Sequence, residues 1–443
     1  MSNYKMFDTQ TRTELHTHFL SLLSGDGFLI LLKNYYPVIK DALRNPNVPS
    51  SATNILMDVE NLTIEELKKK LTIYDPLDRT VETMSTFFKN RRDLLTVFQI
   101  LVKEYPFLKI LDMVKHTSSS PEIKKHYFDL YCSKTLSDKD LVTGLIFSEY
   151  INMALQELIN QGVKYVEISY SNLRIIQSLY LKKEIRDQIE CRFMLCTNRE
   201  NLAFISDPES APRKERKKYT YQKDAAPSLR KGLEWSDERI LADTLEGSQT
   251  CIIGFDIMGQ ENELRTDEKD RDPNNPEGFI NKLKIILKVL QEDYQKTGRM
   301  NTFRIHGGEV PGTEDNIFHT LTMLKELVPI SPLGTIPPPE IRIGHGVFFR
   351  DIPEYFDLLR EMQVIIEINA SSNIKLGNIL RVTDIRYQRY LEEGIPIAIS
   401  TDGHGLYDTT IEEENEKAKS VVGPYFDIVL ATDEYLLGTK IRR

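Results

Sequence analysis

The stretch "FRIHGGEVPG", residues 303–312, decides how the chain is read. A short apolar run leads into a histidine, two glycines and a glutamate. Upstream lies "GFINKLKIILKVLQEDYQKTG" (278–298) and downstream "NIFHTLTMLKELV" (316–328). Both carry apolar residues at helical spacing. A short strand held between two helices is the repeating unit of a parallel sheet. A buried strand has no need of a histidine at its end, and a turn has no need of the glutamate. The layout therefore predicts a strand that delivers His306 and Glu309 into one pocket.

Seven further runs of the same kind flank this one. They are "RTELHTHF" (12–19), "VKYVEISYS" (163–171), "IECRFMLCT" (189–197), "CIIGFDIMG" (251–259), "EIRIGHG" (340–346), "VIIEINASS" (364–372) and "IPIAISTDG" (395–403). Eight strands alternating with helices predict an α/β fold, a closed (β/α)8 TIM barrel. A doubly wound open sheet is the alternative, weakened because no GxGxxG turn follows the first strand. Two segments exceed a minimal barrel. Residues 20–150 read as a helical insertion or cap after strand 1, with helices at "LTIEELKKKL" (62–71) and "RDLLTVFQILVKEY" (92–105). Residues 205–235 read as a basic loop on the active-site face, and 211–231 hold eight Lys or Arg against two acids.

The bulk numbers agree with one large barrel of 443 residues. The chain carries 57 basic and 66 acidic residues, a net charge of −9, which argues against a nucleic-acid binder. The opening "MSNYKMFDTQ" lacks an apolar signal core, and no apolar run reaches the length of a membrane helix. A cytoplasmic protein with no membrane contact is expected. Cys132, Cys191, Cys196 and Cys251 form no CxxC pair and are expected to be free core thiols.

The chemistry gathers at the predicted C-terminal strand ends, where barrels place their active sites. Strand 1 ends in His16 and His18, which point the same way because side chains alternate along a strand. Strand 5 ends in His306, strand 6 in His345 and strand 8 in Asp402. Each alone reads as an ordinary hydrogen-bonding residue or cap; together they read as a site. His16, His18, His306 and Asp402 suit a borderline divalent cation, zinc first, one per chain. Such an ion brings the pKa of a bound water toward neutrality and makes it a nucleophile. His345 would orient or deprotonate that water. Glu309, too far to join a metal already held by His306, would protonate a substrate nitrogen.

These motifs resemble the adenosine deaminase family of the metal-dependent amidohydrolases. "TELHTHF" is similar to its strand-1 metal motif, "GFDIMGQE" to the strand-4 segment that meets the purine, and "HGGE" to the strand-5 metal and acid motif. "RIGHG", "EINASSNIKLG" and "STDG" resemble strands 6, 7 and 8. The resemblance implies that His16, His18, His306 and Asp402 hold zinc. It implies that His345 and Asp402 place the attacking hydroxide at C6 of adenine, that Glu309 protonates N1, and that the Gly259 backbone meets N3. Ammonia leaves and a hypoxanthine remains.

The sequence departs from that pattern in three places. The aspartate expected after the strand-8 ligand, which meets purine N7, is Gly403, followed by His404 as a stand-in. The aspartate expected two residues after the HxH pair, near the ribose 5′-hydroxyl, is Leu20. Asp26 replaces it only if the loop is rearranged. The basic loop, with Arg213, Lys214, Arg216, Lys217 and Lys218, is the third. No carboxylate at the 5′ position and many cations nearby suit a 5′-phosphorylated adenine nucleotide. Relatives of that type serve in antiviral defence. Free adenosine or deoxyadenosine salvage is the alternative, as are an amidohydrolase for another bond and a non-catalytic barrel acting in assembly. The helical insertion offers contacts for a homo-oligomer or a partner protein.

Overall fold

The computed structural model describes residues 13–42, 63, 65–66, 106–114, 121–134, 136–198, 225–242, 251–258, 279–327 and 339–441. Eight strands run in chain order around one parallel sheet: β1 (Thr13–His18), β2 (Tyr165–Tyr170), β3 (Glu190–Asn198), β4 (Ile252–Met258), β5 (Thr302–Gly307), β6 (Glu340–His345), β7 (Ile365–Ile368) and β8 (Ile397–Ile399). Every neighbouring pair is parallel. The first and last strands meet through a parallel bridge between Thr17 and Asp402, and the Asp402 N–H donates to the His16 carbonyl at 2.9 Å. The expected barrel is what forms.

Nearly all strand residues are buried, as expected when helices cover the outside and side chains fill the inside. The outer helices have clear local causes. Helix Asp138–Asn160 starts at Ser137, whose side chain accepts from the Asp140 N–H, with Asp138 and Asp140 favouring the positive end of its dipole. Helix Ile411–Val422 opens on a reciprocal Thr410–Glu413 capping box. Gly254 of β4 has a packing reason, since a Cβ there would lie 2.1 Å from the Thr302 carbonyl oxygen of β5.

Two of the expected strands are shorter than the sequence suggested. In "VIIEINASS" only Ile365–Ile368 is extended, and Ala370–Lys375 is helical. Short polar side chains turn the backbone here: Ser372 Oγ and Asn373 Nδ2 both donate to the Asn369 carbonyl, at 3.2 and 2.8 Å. The strand in "IPIAISTDG" is only Ile397–Ile399. Between β1 and β2 the described helices are Gly25–Ala42, Phe107–Val114, Pro121–Ser133 and Asp138–Asn160. The helix expected at 92–105 lies outside the described residues, as does nearly all of that at 62–71. No helix among the described residues is long and apolar enough to cross a membrane. All four cysteines are free; three are buried, but Cys132 is exposed and so is no core thiol.

Candidate active site

The glycines of the opening stretch have separate reasons. A Cβ on Gly307 would lie 2.9 Å from Ile317. Gly308 takes a left-handed φ of 65°, and a Cβ there would meet the Phe348 carbonyl oxygen at 2.2 Å. The Gly308 carbonyl accepts from the Phe348 N–H at 2.8 Å, tying the turn after β5 to the turn after β6. That crossing sets Glu309 beside His345, with its carboxylate 3.7 Å from His345 Nε2.

Four imidazoles meet at the C-terminal mouth of the barrel. The ring centroid of His16 lies 5.4 Å from that of His18, 4.6 Å from His306 and 5.1 Å from His345. His16, His18 and His306 each offer a nitrogen within 4.8 Å of the others. Asp402 Oδ1 stands 3.3 Å from His18 Nε2 and 3.7 Å from His16 Nε2. His345 and Asp402 both adopt left-handed backbone, with φ of 72° and 65°. Non-glycine residues adopt this region uncommonly, Asp and His more often than most, and Lys134, Gln363 and Asp408 do so here as well.

Burial and charge prepare this set for a cation. His16 is held well below the ordinary histidine range, chiefly by burial and next by the Arg304 guanidinium, so its ring is neutral. Burial also lowers His306. For His18 burial pulls the pKa down, but the hydrogen bond and charge of Asp402 outweigh it and raise it. Asp402 is lowered to about 2, because its hydrogen bond to His18 and the nearby histidines overcome burial. His16 Nε2 is buried with no hydrogen-bond partner among the described residues. Two imidazoles held low, a third hydrogen-bonded to a carboxylate, and an unsatisfied buried nitrogen fit a borderline divalent cation.

The structure brings together His16, His18, His306, His345, Asp402 and Glu309. Glu309 stands closer to the ligands than the sequence reading had it: His306, Glu309 and His345 also offer donor atoms within 4.8 Å of one another. His404 is buried and turned toward helix Asp138–Asn160, with Nε2 3.0 Å from Glu157 Oε2. Gly403 leaves room for Ser21, whose Oγ would lie 2.1 Å from a Cβ at 403. Leu20 is partly buried, and Asp26 sits in the first turn of helix Gly25–Ala42. Gly259, Arg213, Lys214, Arg216, Lys217 and Lys218 lie outside the described residues.

Sequence reasoning missed a charged layer beneath the histidines. Asp256 Oδ1 lies 3.4 Å from His306 Nε2, and Glu367 Oε2 lies 3.2 Å from His16 Nδ1. Arg304 and Arg342 hold these carboxylates from within the barrel, together with Glu167. Asn373 Nδ2 lies 3.2 Å from His345 Nδ1 and fixes that ring from the other side. The available signal was one charged residue inside each apolar run: "VEIS", "FDIM", "FRIH", "IRIG" and "IIEI".

Comparison with known proteins agrees with the motif reading. The family profile described as adenosine deaminase matches residues 339–427. An adenosine deaminase of Enterococcus faecalis is 37% identical over 169 residues, which is 38% of this chain and 39% of that protein. An adenosine deaminase of Vibrio vulnificus is 26% identical over 128 residues, 28% of this chain and 34% of that one. The matched stretches thus span under two fifths of these relatives. The N6-methyl-AMP deaminase of Arabidopsis thaliana superposes with a TM-score of 0.48 at 14% identity, covering 98% of this chain and 96% of that one.

Proposed function

We propose that this chain, similar in sequence to the adenosine deaminase family, is a zinc-dependent hydrolase that removes the 6-amino group of an adenine nucleoside or nucleotide as ammonia. The observation that carries this reading is the convergence of His16, His18, His306 and Asp402 with Glu309 and His345 at the strand ends. His16, His18, His306 and Asp402 would hold the ion. When bound, it supplies the Lewis acidity that brings a water toward ionisation near neutral pH.

The chain's own groups do the rest. His345 and Asp402 orient the attacking water toward C6, and its proton is taken up by the pair. Asn373 Nδ2, 3.2 Å from His345 Nδ1, keeps that ring in place beside the water. Glu309, partly buried beside His345, delivers a proton to N1 so that the ring accepts the added electrons. The proton taken from the water passes to the amino group, ammonia departs, and the C6 hydroxyl returns a proton to Glu309 as the carbonyl forms. Gly259, following β4, would meet N3.

The favoured substrate class is a 5′-phosphorylated adenine nucleotide, with ATP and dATP as candidates. Leu20 in place of a carboxylate removes a repulsion, and Arg213, Lys214, Arg216, Lys217 and Lys218 add attraction. Control of nucleotide pools, including antiviral defence, is the role such a preference would serve. Residues 20–150 would form the helical cap, with surface for a second copy or a partner. The test is the ultraviolet shift from adenine to hypoxanthine, measured side by side on adenosine, deoxyadenosine, AMP, ATP and dATP. Faster turnover of the phosphorylated compounds supports the nucleotide reading. Faster turnover of free nucleosides makes this a salvage enzyme.

A further inference from the structure

The geometry points to Glu367 as a positioning residue for the metal ligand His16, held in place by Arg304 and Arg342; this rests on the metal site proposed above. Glu367, on β7, is fully buried two strands from β1 around the closed barrel. Its Oε2 lies 3.2 Å from His16 Nδ1 and 2.7 Å from Arg304 Nε. Its Oε1 accepts from Arg342 Nη1 at 2.9 Å. One carboxylate thus meets a histidine and two guanidiniums, all with no exposed surface.

That arrangement gives each group a task. A histidine that ligates through one nitrogen needs its other N–H accepted, which fixes tautomer and ring direction. Both Nδ1 and Glu367 Oε2 are buried without a completed hydrogen bond, 3.2 Å apart, so a small turn of the ring lets Oε2 accept from Nδ1 and leaves the Nε2 lone pair facing the Asp402 side. A carboxylate buried alone would be too costly to keep charged, and the two arginines offset that cost. Gly344 on β6 completes the cradle: a Cβ there would lie 2.5 Å from His16 Cε1, so the ring lies against bare backbone. His16 is the innermost of the ligands, and its direction is set by β6 and β7 rather than by its own strand.

The alternative is that Glu367 only balances charge in the barrel. Glu167 separates the two roles. It is equally buried and pairs with both arginines and with the Tyr165 hydroxyl, yet makes no hydrogen bond or ion pair with a histidine among the described residues. The experiment measures zinc affinity of the full chain by chelator competition, and the visible spectrum of the cobalt(II) form, for wild type, Glu367→Gln, Glu367→Asp and Glu167→Gln. Circular dichroism of the metal-free proteins identifies the folded variants. Glu367→Asp keeps the charge for the arginines and carries the test if Glu367→Gln does not fold. We expect both Glu367 variants to bind zinc about 10–100-fold more weakly with an altered cobalt spectrum, while Glu167→Gln stays within about threefold of wild type. Unchanged affinity and spectrum in the Glu367 variants overturn the inference, as does an equal loss in Glu167→Gln. A wild-type chain that takes up neither metal overturns the proposed function beneath it.

Discussion

Gly344 and His16 are packed so closely that a single methyl group cannot stand between them: a Cβ on Gly344 would lie 2.5 Å from His16 Cε1 and 3.0 Å from its Nδ1. The backbone of Gly344 does not need glycine's left-handed freedom, so Gly344→Ala acts through space alone. We expect it to swing His16 off its direction, lowering both metal content and turnover. Overpacking of this kind also costs about 1–3 kcal/mol of stability. Metal analysis after dialysis, beside a melting curve, checks it. Full metal content in Gly344→Ala would show that His16 tolerates another position.

His306→Ala and Asp402→Ala remove ligands from a buried cluster and are expected to lose metal and activity together. An ion held by residues of β1 and β5 with Asp402 after β8 would need the folded chain, so the melting temperature of wild type should rise with added zinc and that of these variants should not. A thermal shift titration reads this directly. An unchanged zinc response in Asp402→Ala would remove Asp402 from the ligand set.

Gly403 and Ser21 define a second tight contact. Ser21 Oγ lies 2.8 Å from the His18 carbonyl and 3.1 Å from the Asp402 carbonyl, tying the ends of β1 and β8 together. A Cβ at 403 would lie 2.1 Å from that oxygen. Gly403→Ala is therefore expected to break the tie and destabilise the fold by about 1–3 kcal/mol, measured by denaturant unfolding. Ser21→Ala, which loses the hydroxyl but adds no clash, should cost about 1 kcal/mol. Equal and negligible effects in both would show the seam to be held elsewhere.

Neutralising Arg213, Lys214, Arg216, Lys217 and Lys218 together is expected to raise KM for adenine nucleotides and leave KM for nucleosides unchanged. The wild-type preference for nucleotides should also weaken as salt rises, since dissolved ions screen attraction between cations and phosphate. Steady-state kinetics at two ionic strengths checks both. The same change for nucleosides would mean the loop does not sense phosphate.

Much of the barrel could be read from the chain because each strand is a short, largely apolar run between longer helical stretches. His16, His18, His306, His345 and Asp402 were legible because they stand where the apolar run stops. The layer below was not. Asp256, Arg304, Arg342 and Glu367 each interrupt an apolar strand, and one charge in a strand has many explanations. Only closure of the barrel places Arg304 of β5 between Asp256 of β4 and Glu367 of β7. His404 met the same difficulty, since its partner Glu157 is 247 residues away. Residues 369–372 read as strand because the apolar start of "VIIEINASS" hides the polar side chains that turn the backbone there.

Everything proposed for the site turns on Glu309 donating a proton to an adenine ring beside a metal held by the histidines. The most direct test of that transfer is the rate of the adenine-to-hypoxanthine absorbance change for wild type and Glu309→Gln at matched zinc content. The account predicts that wild type converts at least one adenine nucleoside or nucleotide, and that Glu309→Gln, with its zinc intact, is slower by about 10²–10⁴-fold. No conversion by zinc-loaded wild type, or a Glu309→Gln rate within about tenfold of it, would contradict the account.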